Sequence, residues 1–252
     1  MTAQPVQPPR KPRRRQAYLP DFQVMNPADI DQLNMTQARR LAQCLADGGV
    51  VWFMSDCAYA LAADPRNARG VAALDRLLDH SGSPIPVTVG NEATAAKVMK
   101  YDSLVRALAG RFWPGGLGIW TPVHNRLGKI LVKRLRGEGG VMTRMSRSVI
   151  ERQLSDALGL PITSAALRQN GVLVFDTDLA LELALVLHDE RTQGLETFFI
   201  RDLRRRPDLA NHSTMVKVEK SKLVVVRTGW IDPDDVKKVA LSNDGVNWGD
   251  AT

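Results

Sequence analysis

Cysteine and histidine are scarce in this chain, two and four in 252 residues. Cys44 and Cys57 lack the paired spacing of a disulfide framework or of a Cys/His zinc site, and they suit a reducing, cytoplasmic setting. No stretch approaches the roughly 20 consecutive apolar residues that cross a bilayer, so a membrane partner is not expected. The N-terminus opens on prolines and basic residues rather than on the apolar segment of a secretory signal. The common catalytic fingerprints are missing too: there is no Walker loop, GxGxxG turn, HExxH or GxSxG. No metal site is expected from the protein's own side chains.

What is present is the mixture of an ordinary globular protein, 44% hydrophobic and 24% charged, long enough for a sizeable core. Of the net charge of +7, five units come from Arg10, Lys11, Arg13, Arg14 and Arg15, which leaves +2 for the rest. Pro5, Pro8, Pro9, Pro12 and Pro20 interrupt the same stretch. Residues 1–20 therefore read as a disordered basic leader, either an electrostatic arm for RNA or another polyanion or a solubilising segment.

Further on, helices and strands alternate. Asn34 and Gln37 form a capping pair for a helix with Met35, Ala38, Leu41 and Leu45 on one face; Gly48-Gly49 ends it, and Val50 to Met54 reads as a buried strand. Asp64-Pro65 is expected to cap a helix carrying Val71, Leu74 and Leu78. A strand at Ile85 to Val89, a helix around Ser103 to Ala109 and a strand at Leu117 to Trp120 follow. Lys129 to Leu135 and Val141 to Arg144 look like strands. Ser148 and Glu151 read as a capping box for a helix through Leu158, stopped by Gly159 and Pro161. Val172 to Phe175 is strand-like, Leu179 to Leu187 helical and Thr197 to Ile200 strand-like. Thr214 to Glu219 and Lys222 to Arg227 form a hairpin around Lys220-Ser221, and Asp232-Pro233 opens a last helix with Val236 and Val239. The pattern predicts one α/β domain over residues 21–241 around a twisted sheet of mixed parallel and antiparallel strands, with 242–252 as a flexible tail.

A series of local patterns occurs in a definite order. The segment from Gly49 to Leu61, with its Ser55-Asp56-Cys57-Ala58-Tyr59, resembles the strand and "P-T-D-T-V-Y-G-L" turn of the YrdC/YciO family. Phe112-Trp113-Pro114-Gly115-Gly116-Leu117 is similar to that family's "F-W-P-G-P-L-T", Arg144-Met145-Ser146 to "R-x-P", and Pro161 to Ala166 to "P-…-T-S-A-N". His212-Ser213-Thr214-Met215-Val216 resembles "S-S-T-V-V-D", and Arg227-Thr228-Gly229-Trp230 resembles "R-P-G-A". The resemblance implies a YrdC-type sheet with a concave basic cavity for a nucleotide and a small amino-acid acceptor. In the family, threonine, bicarbonate and ATP give threonylcarbamoyl-adenylate and pyrophosphate, for tRNA modification.

On that resemblance, Arg144, Ser164, Ser213, Thr214 and Arg227 are the nucleotide-site candidates, since phosphate oxygens need converging cations and hydroxyls. Ser55, Asp56, Cys57 and Tyr59 are the acceptor-site candidates; no catalytic nucleophile is singled out. Other readings of the same residues stay open: local turn bonds by Ser55 and Asp56, Tyr59 in the core, and arginines in ion pairs with hydroxyls satisfying loop backbone. The cofactor implied is ATP or another adenine nucleotide, with Mg²⁺ as its usual companion although no carboxylate cluster is dedicated to it.

The family's pattern is broken at several points. Its "K-x-R-P" cations fall on Leu77 and Asp79, its Asn of "S-A-N" on Ala166, its threonine on Cys57, and two prolines on Met54 and Ser146. Another source of charge, or another ligand, is implied. One source is the basic stretch 126–152, with Arg126, Lys129, Lys133, Arg134, Arg136, Arg144, Arg147 and Arg152 against Glu138 and Glu151, which could face phosphate or an RNA backbone. Aromatics for base stacking are sparse in it. Three functions follow as expectations: a divergent threonylcarbamoyl-adenylate synthase-like protein; a paralogue in biosynthetic metabolism with another substrate or a protein partner; or a non-catalytic RNA-binding protein.

Overall fold

The computed structural model describes residues 19–27, 32–78, 85–123, 131, 133–135, 140–192, 194–202, 212–220, 222–242 and 247–249. In chain order the first half contains β1 (Phe22–Met25), α1 (Met35–Ala46), β2 (Val50–Met54), β3 (Tyr59–Ala62), α2 (Ala68–Leu78), β4 (Val87–Thr88), α3 (Glu92–Val98), α4 (Ser103–Phe112), β5 (Leu117–Thr121) and β6 (Val141–Arg144). The second half contains α5 (Val149–Leu158), the short strands β7 (Ile162–Thr163), β8 (Ala165–Ala166), β9 (Arg168–Gln169) and β10 (Val172–Leu173), and α6 (Thr177–Arg191). It ends with β11 (Thr197–Ile200), β12 (Thr214–Glu219), β13 (Lys222–Arg227), α7 (Pro233–Leu241) and β14 (Asn247–Gly249).

Two mixed sheets result. One has the order β1-β11-β2-β3-β8, and the other the order β14-β13-β12-β5-β6-β4-β7. β2 explains the first. All five of its residues are buried, so it reads as an unbroken apolar run and not as an alternating one. Val50, Trp52 and Met54 point into the main core, and Val51 and Phe53 point into a second core covered by Leu41 and Leu45 of α1 and Ile150 and Leu154 of α5. Helix α1 starts as the sequence indicates: Asn34 Oδ1 accepts from the Gln37 N–H, and the Gln37 side chain accepts from the Asn34 N–H.

Segment 162–166 joins the sheets. β7 pairs antiparallel with β4 of the larger sheet, and two residues later β8 pairs antiparallel with β3 of the smaller one. Ser164, between them, donates its N–H to the Pro86 carbonyl. The crossing leaves the two sheets diverging around a hollow.

Several local expectations are corrected. Asp64-Pro65 does not cap α2: Asp64 accepts from the Arg66 N–H and pairs with its guanidinium, while Asn67 Oδ1 accepts from the N–H groups of Arg69 and Gly70. Ser148 and Glu151 form no capping box, because the Ser148 hydroxyl donates to the Met54 carbonyl and Glu151 is fully buried elsewhere. Of the strand expected over 129–135, Lys133–Leu135 is a 3₁₀ turn and the part before Leu131 lies outside the described residues. β10 ends at Leu173 rather than running to Phe175. Residues 1–18 also lie outside the described residues, and Asn247–Gly249, within the expected tail, pairs in parallel with β13.

The turn from α1 into β2 is tight enough to test. A Cβ on Gly49 would lie 2.4 Å from Cys44 Sγ and 2.5 Å from the Glu196 carbonyl oxygen, whereas one on Gly110, in the exposed face of α4, meets nothing within 4 Å. Gly49→Ala is expected to cost about 1–3 kcal/mol or more, the range for forced overpacking. Gly110→Ala is expected to stabilise by roughly 0.5–1 kcal/mol through helix propensity. Thermal and urea denaturation of the two variants checks both signs.

Candidate functional site

The hollow is a cavity of ≈ 420 Å³. One face of the larger sheet supplies its floor: Arg227 of β13, Met215 of β12, Trp120 of β5, Met142 and Arg144 of β6 and Thr88 of β4. Their alignment follows from register, since Met215 pairs with Arg227, Trp120 with Met142, and Thr88 with Arg144. The turn Ser55–Cys57, the crossing residues Ser164 to Ala166, and the β9–β10 hairpin with Arg168 close the other side. No carboxylate is among these lining residues.

Six of the nine residues expected at the site line this one cavity: Ser55, Cys57, Arg144, Ser164, Ser213 and Arg227. The other three do not line it, for reasons open to inspection. Tyr59 is fully buried, stacks on Phe199 with ring centroids 5.3 Å apart, and its hydroxyl accepts from the Asp202 N–H at 3.0 Å. Burial first of all pushes its phenol up to about 12. Thr214 Oγ1 accepts from the N–H groups of Gly229 and Ile231 at 2.9 Å each and donates to the Ile231 carbonyl. It ties down the loop that follows Arg227. Asp56 sits behind the wall, against Arg144.

Arg144 is the electrostatic centre. Its Nη1 lies 2.6 Å from Asp56 Oδ1 and 3.2 Å from Cys57 Sγ, and its Nη2 lies 3.6 Å from Glu151 Oε2. Glu151, completely buried, also accepts from the Thr88 hydroxyl at 2.7 Å. Burial alone would lower the guanidinium's pKa, but Asp56, Cys57 and Glu151 together raise it. Asp56 is the mirror case: burial raises its carboxyl, and Arg144 with the Arg147 N–H overcomes that and holds it below the usual carboxylate range. The Cys57 thiol is pushed up to about 11, by burial first and by Asp56 and Glu151, although Arg144 acts the other way. At neutral pH Cys57 is a thiol, which is a poor nucleophile.

Ser55 does what its turn requires. Its hydroxyl donates to the Ala58 carbonyl and accepts from the N–H groups of Cys57 and Ala58. Arg227 is different in kind. Its Nε and Nη2 donate to the Ser213 carbonyl at 3.1 and 2.9 Å, Nη2 also reaches Ser213 Oγ at 3.0 Å, and no carboxylate of the described residues pairs with it. Partial burial, then Arg168 and Arg144, depress its pKa. Gly229 makes this possible, since a Cβ there would lie 2.1 Å from the His212 carbonyl oxygen.

Arg168 and His212, both on the lining, are residues that were not assigned a role from the sequence. The signal that could have found Arg168 is Asn170-Gly171, whose φ angles of 51° and 79° make the two-residue hairpin that projects it. The basic stretch 126–152 does not act as one face. Arg144 points inward, Arg147 lies over the Trp230 ring at 5.9 Å, and Arg152 donates to the Ser146 carbonyl. Arg126, Lys129, Arg136 and Glu138, the side chain of Arg134, and the segment 79–84 with Asp79 lie outside the described residues. Leu77, at the family's lysine position, is buried in the main core. Among the described residues no three His, Cys, Asp or Glu side chains are grouped to hold a metal ion, and no helix is long and apolar enough to cross a membrane.

The Sua5/YciO/YrdC family model, whose description reads "Telomere recombination", matches residues 43–229. The chain belongs to this family. No curated protein sequence matches the chain significantly. Among solved structures, Sua5 of P. abyssi complexed with L-threonine is similar with a TM-score of 0.70 at 18% identity, over 90% of this chain and 62% of that one. YciO of E. coli matches with a TM-score of 0.66 at 19% identity, over 84% of this chain and 96% of that one. HypF in its phosphate- and nucleotide-bound form matches with a TM-score of 0.60 at 14% identity, over 76% of this chain and 29% of that one. The chain spans less than two thirds of the two Sua5 chains, 63% and 62%. At these identities the likeness is one of fold, shared with the family's Sua5 and YciO members.

The buried cluster makes a prediction. Asp56→Asn leaves Arg144 with Glu151, 3.6 Å away, as its one carboxylate among the described residues, and breaking a buried pair in this way costs roughly 3–5 kcal/mol. Because Asp56 is depressed in the folded state, its stabilisation is fully present above its ordinary value of 3.8 and is lost as pH falls through the lower folded value. Unfolding free energies of the two proteins against pH should therefore converge in acid. Parallel curves would remove Asp56 from this role.

Proposed function

We propose that this chain is a divergent threonylcarbamoyl-adenylate synthase-like protein whose cavity binds an adenine nucleotide or adenylate beside a small amino-acid-type acceptor. The observation that carries the reading is the charge of the cavity wall: Arg168 and Arg227, with no carboxylate of the described residues paired to them, beside the carboxylate-flanked Arg144 and the hydroxyls of Ser164 and Ser213, and no carboxylate among the lining residues. Phosphate oxygens are gripped by converging cations and hydroxyls. Trp120, Met142 and Met215 offer an apolar floor for a base, and the Ser55–Cys57 turn is the natural wall of the acceptor. Sua5 was solved with L-threonine and HypF with phosphate and nucleotide, which supports the two ligand classes. With Cys57 a neutral thiol and no activated nucleophile beside it, the chain's own contribution would be positioning and electrostatic stabilisation, without a covalent intermediate.

A second reading, recruitment to a biosynthetic reaction with a different acceptor, is favoured by one feature. Cys57 stands at the family's threonine position with its thiol donating to Asp56 and its sulfur accepting from Arg144, so a hydroxyl for the acceptor is lost.

Calorimetry with ATP and AMP, followed by pyrophosphate release on adding L-threonine and bicarbonate, tests both. Nucleotide binding that weakens at least about tenfold in Arg227→Ala supports the site; silence toward both nucleotides ends the first reading. If threonine is the acceptor, Cys57→Thr raises threonine-dependent pyrophosphate release. Nucleotide binding with no threonine dependence in either protein favours the second reading.

A further inference from the structure

The cavity's arginines differ in how much of their charge is available to a ligand. Arg144 is flanked by Asp56 and Glu151, so its charge is largely spent within the protein. Arg168 of β9 and Arg227 of β13 have no carboxylate of the described residues within ion-pair distance, and Arg168, as a like charge, helps to depress the pKa of Arg227. Arg168 is held in place from behind: its Nη1 donates to the Gly171 carbonyl at 2.6 Å, across its own hairpin turn. That leaves Nη2 facing His212, 3.3 Å from Nδ1 and 3.4 Å from Nε2. Arg227 is held the same way by the Ser213 backbone, next to His212 in the chain. Two fixed guanidiniums and an imidazole, near enough to act on one another, thus line the cavity together.

We propose that Arg168, Arg227 and His212 form an anion subsite that takes a phosphate group of the bound ligand. The charge missing from the family's "K-x-R" positions, where Leu77 is buried in the core, is supplied here from the β9–β10 hairpin. This rests on the nucleotide reading above for its biological ligand, but not for its chemistry, which any phosphate or sulfate shares.

His212 reports on the subsite. The charged groups that face it from the described elements are Arg168 and Arg227, both cationic, and they add to burial in depressing its pKa. His212 is therefore neutral at pH 7, where an Arg168 N–H can donate to its unprotonated ring nitrogen. A dianion placed among the three offsets the repulsion, so binding raises the imidazole's titration midpoint and takes up a proton. For an anion of constant charge such as sulfate, affinity then increases as pH falls from the raised midpoint of the bound state to that of the free imidazole, which lies below its ordinary 6.5.

The test uses the full chain and three probes: inorganic pyrophosphate, AMP and adenosine. Pyrophosphate and AMP are expected to bind, with adenosine weaker than AMP. Arg168→Ala is expected to weaken both anions at least about tenfold, and Arg168→Lys to recover part of the loss by keeping the charge without the fork. Because the hairpin turn could be disturbed by the variant, the His212 ring resonances of the unaltered protein are followed in parallel with sulfate, whose charge is constant over this range. An upward move of the His212 midpoint supports the subsite. An unchanged midpoint, or anion affinities indifferent to Arg168→Ala, overturns it. Pyrophosphate binding that depends on Arg168 in a protein silent toward AMP and ATP keeps the subsite and removes the nucleotide reading; AMP binding indifferent to Arg168 does the reverse.

Discussion

Arg144 holds the two sheets in their relative places. It stands at the end of β6 in the larger sheet, and its partners come from elsewhere: Asp56 from the turn after β2 of the smaller sheet, Glu151 from the first turn of α5. An unpaired guanidinium at 6% exposure would be costly to bury, and so would either carboxylate alone. The three are tolerable only together. Their geometry therefore constrains where the Ser55–Cys57 turn lies over the floor of the cavity. Asp56 also accepts the Arg147 N–H, and Ser148 donates to the Met54 carbonyl, so the chain after β6 is stitched to the end of β2 at more than one point.

The cavity follows from this stitching and from the crossing at 162–166. Two sheets packed face to face would fill the space between them with side chains. Here the chain leaves the larger sheet at Thr163 and enters the smaller one at Ala165, with small residues at the change of partner. Ser164, Ala165 and Ala166 cannot fill what they border, and Trp120, Met142 and Met215 reach it only from the floor. The hollow is thus a consequence of small residues at a seam.

Much of this was legible in the sequence, and what was not has identifiable causes. The buried run Val50 to Met54, the Asn34 capping box and the hairpin of Thr214–Glu219 with Lys222–Arg227 are local patterns, and each forms where its residues indicate. β3 escaped because Tyr59 to Ala62 follows a turn motif, and it is recognisable as a strand only from its pairing with β2. α3 has seven residues, too few for a clear helical period. The Ser148/Glu151 pattern misled for a physical reason: a glutamate three residues after a serine serves a capping box only if it stays at the surface. A buried arginine four residues upstream of Ser148 was a stronger partner. At the site, the six residues that share the cavity come from motifs scattered over more than 170 positions, which only the order of those motifs could bring together. Tyr59 was the ambiguous one, and its core role depended on Phe199 and Asp202, far along the chain.

An arginine on a cavity wall is not by itself a grip for a ligand, and this protein shows how to separate the cases. The free charge of each guanidinium is found by counting the carboxylates behind it. Arg144 has two, so a phosphate approaching it meets a cluster whose net charge is already negative if both are ionised, and Asp56 is held firmly in that form. Arg227 has none among the described residues and is oriented by the neutral acceptors of Ser213, its carbonyl and its hydroxyl oxygen, which fix its direction without cancelling its charge. The first kind of arginine builds the pocket; the second kind gives it polarity. Such an arrangement is destabilising unless an anion offsets it, since like charges repel. It persists because the strands that carry these residues are anchored by cores on their other faces, where Leu117, Ile119, Val216 and Leu223 are fully buried. The apolar side of the larger sheet thus offsets the electrostatic cost of the polar one, and the same alternation along β5 and β12 that makes the core also makes the cavity floor.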